Sequence, residues 1–407
     1  MNLQGIQFRS VVDGAFWVAM VCVVFRWMIL VYNAIIQPQP PVGDEIHFIS
    51  YLQFLSEKGI FESLSNRLAI NYTILALPFS LFLDGLVALR LVNLLLISFF
   101  ILYIFKKKFD HSKYIILLAL FYAGKVGIFN VGINDALFAI SFAVILIEFI
   151  CIIRNGKTEY SNLLLISVAF SLTTRPLVVI YMPIYLVIAW SFCKFNIFKD
   201  VKFAAVISSS LVLLMHVPSM VVNHSPSWDD KTTESDMTWA QRQYLAQIQA
   251  NSGLRPEGTH PSWDELRKYI DQNGGNSLPK TFVESIYFDW KLTIKEFFKD
   301  LYFSFKGLLL QTGSLVFIFI FGLYKGIALR NIALLYSFMP LVYALLVFSF
   351  IIISNVEWRW YAPVVFLLIS SIGWIFEIIE FKLVNLFKLS LSLSTFSLSA
   401  IGVYNLF

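Results

Sequence analysis

Long apolar runs separated by short polar connections dominate this chain. The first covers about Gly14 to Ile36. Others cover about 114–130, 135–153, 161–175, 176–193, 202–222, 306–324, 331–352, 360–380 and 389–407. Continuous apolar runs approaching or exceeding 18 residues predict membrane-spanning α-helices, whereas strand barrels show alternation. Residues 68–105 are also apolar, but Pro78 and Leu83-Asp84-Gly85 interrupt them. They read either as two crossings or as one crossing preceded by a dipping helix. The fold class is therefore all-α and polytopic.

The polar connections carry the orientation. Lys106, Lys107, Lys108 and Lys113 share one; others hold Arg154 with Lys157, Lys194 with Lys199 and Lys202, Lys325 with Arg330, and Lys382 with Lys388. Cytoplasmic connections are enriched in Lys and Arg. Placing all five inside gives 68–105 one net crossing, about 11 transmembrane helices in total, and an internal N-terminus. The chain then divides into an N-terminal transmembrane module, 1–222, with a first loop at 37–66, an extracytoplasmic helical loop, 223–305, and C-terminal transmembrane helices, 306–407.

Both outer loops predict interfacial helices. After Gln37-Pro38-Gln39-Pro40-Pro41, which stiffens the chain, Asp44 is placed to cap a helix from Glu45 to about Lys58, with Gly59 as its stop. Phe48, Tyr51, Leu52 and Leu55 share one face of it. In the long loop, a helix is expected over Met237 to Ala250. Ser262-Trp263-Asp264-Glu265 is a capping-box pattern opening another, ended by Gly274-Gly275. Residues 282–303 read as an aromatic, amphipathic lead-in.

Composition agrees with a membrane location. Of 407 residues, 58% are hydrophobic and only 14% charged, against about 25% charged in soluble domains. The net charge of +5 resides in the short connections, so it reports orientation and not nucleic-acid binding. Cys22, Cys151 and Cys193 match no zinc or thioredoxin-type spacing. His216, His224 and His260 lack metal-ligand spacing, and no Gly-rich phosphate loop, Ser-His-Asp order or internal repeat is visible.

The ionisable residues least like topology signals fall on the outer face. Asp44 and Glu45 follow the first span directly. A carboxylate there deprotonates a hydroxyl or, with His47, holds a divalent metal; the alternative is that both only start the helix. Arg175, in Thr174-Arg175-Pro176, suits a lipid phosphate or an ion pair with a nearby carboxylate. Arg359, in Glu357-Trp358-Arg359-Trp360-Tyr361, lies in an aromatic belt and has the same two readings. Glu357 and Arg359 are two positions apart, so each finds its own partner. Lys125 and Asp135 flank a short turn; Asp135 either meets substrate or complements the dipole of its helix. Arg90, embedded in apolar sequence, reads as structural or near the cytoplasmic face.

Gly43-Asp44-Glu45-Ile46-His47 resembles the acidic first-loop motif of the C-type polytopic glycosyltransferases, which include protein O-mannosyltransferases and lipid A aminoarabinose transferases. Asn71 to Leu77, Leu86 to Leu91, Asn134-Asp135-Ala136-Leu137-Phe138, Thr174-Arg175-Pro176 and Arg359-Trp360-Tyr361-Ala362-Pro363 resemble later family motifs in order. The family's His/Lys-Pro-Pro before Tyr72 is replaced by Leu68-Ala69-Ile70-Asn71. The resemblance implies inverting transfer from a polyprenyl-phosphate-linked sugar to a glycan, lipid or protein acceptor, facing the periplasm of a bacterial inner membrane. It implies Asp44, with Glu45, as the catalytic corner. It further implies Arg175 and Arg359, assisted by Lys125, on the carrier phosphate, with Asp135, Glu357 and Tyr361 lining the substrate site. No cofactor follows from it; a divalent metal stays open. Two alternatives remain: an O-antigen-type polymerase, which would depend on Arg242, Arg255 and Arg267, and a lipid-linked-oligosaccharide flippase or other transporter.

Overall fold

The computed structural model describes residues 3–156, 160–194, 202–228, 237–353 and 355–406, and they contain helices and no strand. Lys157 and Lys199, assigned to two basic connections, lie outside those residues. The chain forms two compact units. One comprises Met1–Asp229, Leu308–Pro340 and Arg359–Phe407; the other comprises Asp230–Gly307 and Leu341–Trp358.

Seven helices among the described residues are long and apolar enough to cross a membrane: Phe8–Ile36, Gly85–Lys107, Asp135–Asn155, Phe203–Asn223, Ile332–Phe350, Trp358–Glu377 and Phe381–Tyr404. The protein is accordingly a polytopic helical membrane protein. The expected span at 306–324 is interrupted. α13 (Trp290–Thr312) and α14 (Leu315–Ala328) meet at Gly313-Ser314 and are bent by 111°, and together they form an eighth candidate. Three other expected spans are short: α5 (Ser112–Val126), α7 (Ser161–Thr174) and α8 (Val178–Lys194) have 15, 14 and 17 residues, below the roughly 20 that cross the hydrocarbon. Residues 68–105 resolve into α3 (Asn71–Ser80) and α4 (Gly85–Lys107). Ten residues of α3 extend about 15 Å, so only α4 is long enough to cross. Asp84 caps α4 by accepting from the Leu86 amide at 2.9 Å.

Burial in the first unit follows from sequence pattern. α6 (Asp135–Asn155) is apolar on every face, and all its residues from Asp135 to Ile152 are buried, as suits a central helix. Its one buried charge besides Asp135 is Glu148. It accepts from the Tyr103 hydroxyl at 2.5 Å and pairs with Lys107 at 3.0 Å. α1 (Leu3–Val31) is two-faced. Phe16, Ala19 and Val23 pack on Tyr114, Leu117 and Phe121 of α5, while Trp17, Val21, Val24 and Met28 stay exposed, the spacing of a lipid-facing stripe. A π-helical segment, Tyr32–Ile36, extends α1.

α2 (Glu45–Ser65) runs past the predicted stop. Gly59 kinks it, at φ 80° and ψ 177°, and the helix then resumes. α9 (Lys202–Asn223) packs beside α2 and α7, and the Arg67 guanidinium donates to the Asn223 carbonyl that ends α9 at 3.3 Å. The remaining helices of this unit are α16 (Ala362–Ser370), α17 (Ile372–Glu377) and α18 (Phe381–Tyr404).

In the second unit, α10 (Trp239–Asn251) and α11 (Trp263–Asn273) each open on a complete capping box, Thr238 with Gln241 and Ser262 with Glu265. Gly274 ends α11 as expected. α12 (Phe282–Phe288) and the start of α13 form the aromatic lead-in. Met237, Tyr244, Leu245, Leu266, Leu278 and Ile352 make the core. Ile352 belongs to the segment after α15 (Ile332–Phe350), so the long loop folds together with residues distant in sequence.

Candidate functional site

Four residues from four chain segments meet in the first unit. Arg359 donates from Nη1 and Nη2 to Asp44 Oδ2, both at 3.2 Å, and from Nη1 to Asp135 Oδ2 at 3.1 Å. Arg175 pairs through Nη1 with Asp135 Oδ1. Asp135 is thus shared by two guanidinium groups. Its side chain is 3% exposed, whereas Asp44 is 29%, Arg359 20% and Arg175 16% exposed. The group is charge-balanced, and Asp44 is its open member.

Local sequence puts each member in place. Asp44 precedes the first turn of α2, but its side chain makes no cap hydrogen bond to that helix; the carboxylate turns to Arg359 instead. This corrects the expectation that it caps. Asp135 is the first residue of α6, where the helix dipole favours an anion. Arg175 has extended backbone, φ −163° and ψ 156°, the conformation imposed on a residue before proline. That separates α7 from α8 and frees the arginine from both. Arg359 lies on a single 3-10 turn, Trp358–Tyr361, with Pro363 in the first turn of α16 behind it.

Asparagines hold the segments in register. Asn71 Nδ2 donates to Thr173 Oγ1 at 2.9 Å and to Thr174 Oγ1 at 2.8 Å, and Asn134 Nδ2 donates to the Thr174 carbonyl at 2.8 Å. The ends of α3, α6 and α7 are thereby joined next to Arg175 and Asp135. Asn93 of α4 holds the turn before Asp135, donating to the carbonyls of Ile128, Val131 and Ile133 at 3.1, 2.5 and 2.8 Å. Nothing in the sequence pattern marks a role for Asn93, and Asn71 and Asn134 stand there only within longer motifs. The available signal was an amide within apolar sequence, which needs partners once buried.

Glu45 has a different environment from its neighbour Asp44. It is fully buried and forms a two-bond pair with Arg90, Oε1 to Nε at 2.8 Å and Oε2 to Nη2 at 2.9 Å. The Gly132 and Val42 amides add bonds at 2.5 and 3.0 Å. Burial pushes this carboxyl up, but the Arg90 bonds and then the two amides outweigh it, holding the group below the usual Glu range. Glu45 therefore braces the acidic corner from behind. Of the two readings of Arg90, structural or near the cytoplasmic face, the pair with Glu45 fits the first; Arg90 sits in the second turn of α4, at the opposite end from Lys106 and Lys107. Gly132 allows the approach, because a Cβ there would come 2.8 Å from the Leu89 Cβ.

The other predicted residues are dispersed. Tyr361 is 3% exposed and lies beside Arg359 in the chain; Tyr181 donates its hydroxyl to the adjacent Trp360 carbonyl at 2.8 Å. Lys125 lies in the last turn of α5 and has no ion pair with the four-residue group among the described residues. Glu357 belongs to the second unit. His47 is exposed, and no group of three or more His, Cys, Asp or Glu side chains suited to a metal occurs among the described residues.

Chemically, the arrangement offers a reachable carboxylate next to two guanidinium groups. Guanidinium can exchange a carboxylate for a phosphate with the same paired geometry. Comparison with family models, curated proteins and solved structures finds no match.

Proposed function

We propose that this chain is a membrane glycosyltransferase moving a sugar from a polyprenyl-phosphate carrier to a hydroxyl of a glycan, lipid or protein acceptor. The supporting observation is that Arg359 joins Asp44 and Asp135 while Arg175 takes the other oxygen of Asp135. In this reading the chain makes about eleven crossings, with α5, α7 and α8 crossing together with their flanking turns. The N-terminus is inside, and the site faces the periplasm of a bacterial inner membrane.

Acetal transfer passes through an oxocarbenium-like state. The acceptor oxygen bonds to the anomeric carbon as the bond from that carbon to the phosphate oxygen breaks. Attack from the opposite face inverts the centre. The acceptor proton passes to the Asp44 carboxylate. The bonding pair leaves with the phosphate, whose charge Arg359 and Arg175 stabilise. Asp135, nearly inaccessible, anchors both guanidinium groups; Asp44, the exposed one, is the base within reach. Arg359 exchanges its Asp44 contact for phosphate when donor arrives, leaving Asp44 free to accept the proton.

Two of the three loop arginines expected to matter in a polymerase, Arg242 and Arg255, serve the loop's own fold. Arg255 pairs with Glu265 at 3.0 Å, and Arg242 donates to the Pro261 carbonyl at 2.6 Å between the rings of Trp239 and Trp263. The test is release of polyprenyl phosphate from a panel of polyprenyl-phosphate hexoses and aminosugars by purified protein in lipid nanodiscs, with bacterial membrane lipids, glycans and proteins supplied as hydroxyl acceptors. Release by wild type, abolished in folded Asp44→Asn and Arg359→Ala, supports the transferase. Release that survives both substitutions, or none from any donor, removes it.

A further inference from the structure

The embedded cations of the first unit fall into two groups. Arg90, Lys107, Arg175 and Arg359 each meet a carboxylate. Among the described residues Arg26 and Lys125 have no such partner, and Arg26 bonds to the residue before Lys125. Arg26 interrupts an apolar helix at a point ten residues before Ile36, the end of the candidate span Phe8–Ile36, about 15 Å along the axis. A charge at such depth is costly and is a functional candidate by default.

The guanidinium turns inward. Its Nη2 donates to the Gly124 carbonyl at 2.9 Å, and the next residue, Trp27, donates to the Leu120 carbonyl at 2.8 Å. On the other side the backbone of Gly402 in α18 lies against the guanidinium, since a Cβ there would collide with Nη1. The Nε and Nη1 donors of Arg26 are buried and have no hydrogen-bond partner. Lys125 follows Gly124, the residue whose carbonyl Arg26 holds, and is half-buried.

We infer that Arg26 and Lys125 form a second anion site that takes a phosphate group, separate from the Asp44–Asp135–Arg175–Arg359 group. Two like charges side by side in a low-dielectric setting repel, and a bound anion converts that repulsion to attraction. The balanced four-residue group has to break an ion pair to accept an anion. The Arg26–Lys125 pair carries two uncompensated positive charges and two unused donors. Lys125 is the open side, a point charge able to meet a phosphate oxygen; Arg26 behind it supplies field and donors. The phosphate arrives either on a lipid headgroup or as the free ion, and both meet the same two groups. This inference does not rest on the transferase reading, and its test involves no turnover.

The experiment uses full-length protein and two probes. Native mass spectrometry counts phosphatidic acid retained after reconstitution in phosphatidylcholine with or without that lipid; equilibrium dialysis measures inorganic phosphate. Wild type is expected to hold one phosphate-bearing probe at this site, beyond any held by the Arg359 group. Lys125→Gln should weaken it about tenfold or more, the scale of a lost charge-assisted bond. Lys125→Arg should restore it, and Arg359→Gln should leave it in place. Binding of phosphatidic acid alone assigns a headgroup; binding of inorganic phosphate, with competition against the lipid, assigns the free ion. Equal retention in wild type and Lys125→Gln overturns the site. So does loss in Arg359→Gln with retention in Lys125→Gln, or no binding of either probe. Should Arg26→Gln fail to fold, the Lys125 variants carry the test by themselves.

Discussion

Asp44 and Glu45 are adjacent in sequence, yet their substitutions should act on different quantities. Asp44 is partly exposed and accepts from Arg359 at 3.2 Å. Asp44→Asn should leave unfolding almost unchanged while reducing sugar release about 10²- to 10⁴-fold, the range of a lost general base. Glu45 is fully buried on Arg90. Arg90→Met leaves that carboxylate without its cation and should cost roughly 3–5 kcal/mol in denaturant unfolding, most of it recovered when Glu45→Gln is added. The Glu45 carboxyl is held below its unfolded value, so the pair's contribution is complete above the ordinary Glu pKa, about 4.3. It fades as pH falls through the lower folded value. A melting series below pH 5 should therefore flatten in the double variant relative to wild type. The sequence located this corner through two acidic residues just after an apolar run. It did not separate their roles, because both sit at a helix start, where capping, catalysis and pairing require the same residue type. The partner that decides is Arg90, 45 positions away.

At the scale of elements, the turn between α5 and α6 is the part whose shape the site most needs. Its carbonyls are gathered by Asn93, whose Nδ2 reaches three of them. Asn93→Leu removes a donor from a buried position and leaves those carbonyls without it, at about 1–3 kcal/mol. Gly132→Ala acts from the opposite side, pressing a Cβ on Leu89, at a similar 1–3 kcal/mol. Both should also reduce sugar release, since the turn leads into Asp135, and both are read by thermal unfolding alongside the release assay. Helix positions in the bundle were largely legible: the apolar runs at 135–153, 202–222 and 331–352 lie almost on α6, α9 and α15. The break in the expected span at 306–324 was less so. Gly313-Ser314 is a common pair inside apolar helices, and only the fold reveals a bend of 111°. The extent of α2 was missed because glycine is a usual stop, whereas here Gly59 only kinks the helix.

For the whole molecule, the candidate site is assembled from segments that no local pattern links. Asp44, Asp135, Arg175 and Arg359 are spread over 315 positions, and their convergence is a property of the bundle. Orientation across the membrane rests on charge alone, and it is testable by labelling. Cys22, Cys151 and Cys193 are free, so the experiment begins from a chain in which all three are Ser. Single cysteines then replace Ser50, Lys108 and Lys382, which are all exposed. Ser50 lies on α2, close behind Asp44; Lys108 and Lys382 lie in two of the basic connections. Positive connections remain on the cytoplasmic side, so a membrane-impermeant maleimide applied to intact cells should label Ser50→Cys and spare Lys108→Cys and Lys382→Cys until the membrane is opened. Equal labelling of Ser50→Cys and Lys108→Cys on intact cells would break the assignment of an odd number of crossings between them. Reversal of the pattern would put the acidic corner on the cytoplasmic side, where a periplasmic acceptor could not reach Asp44.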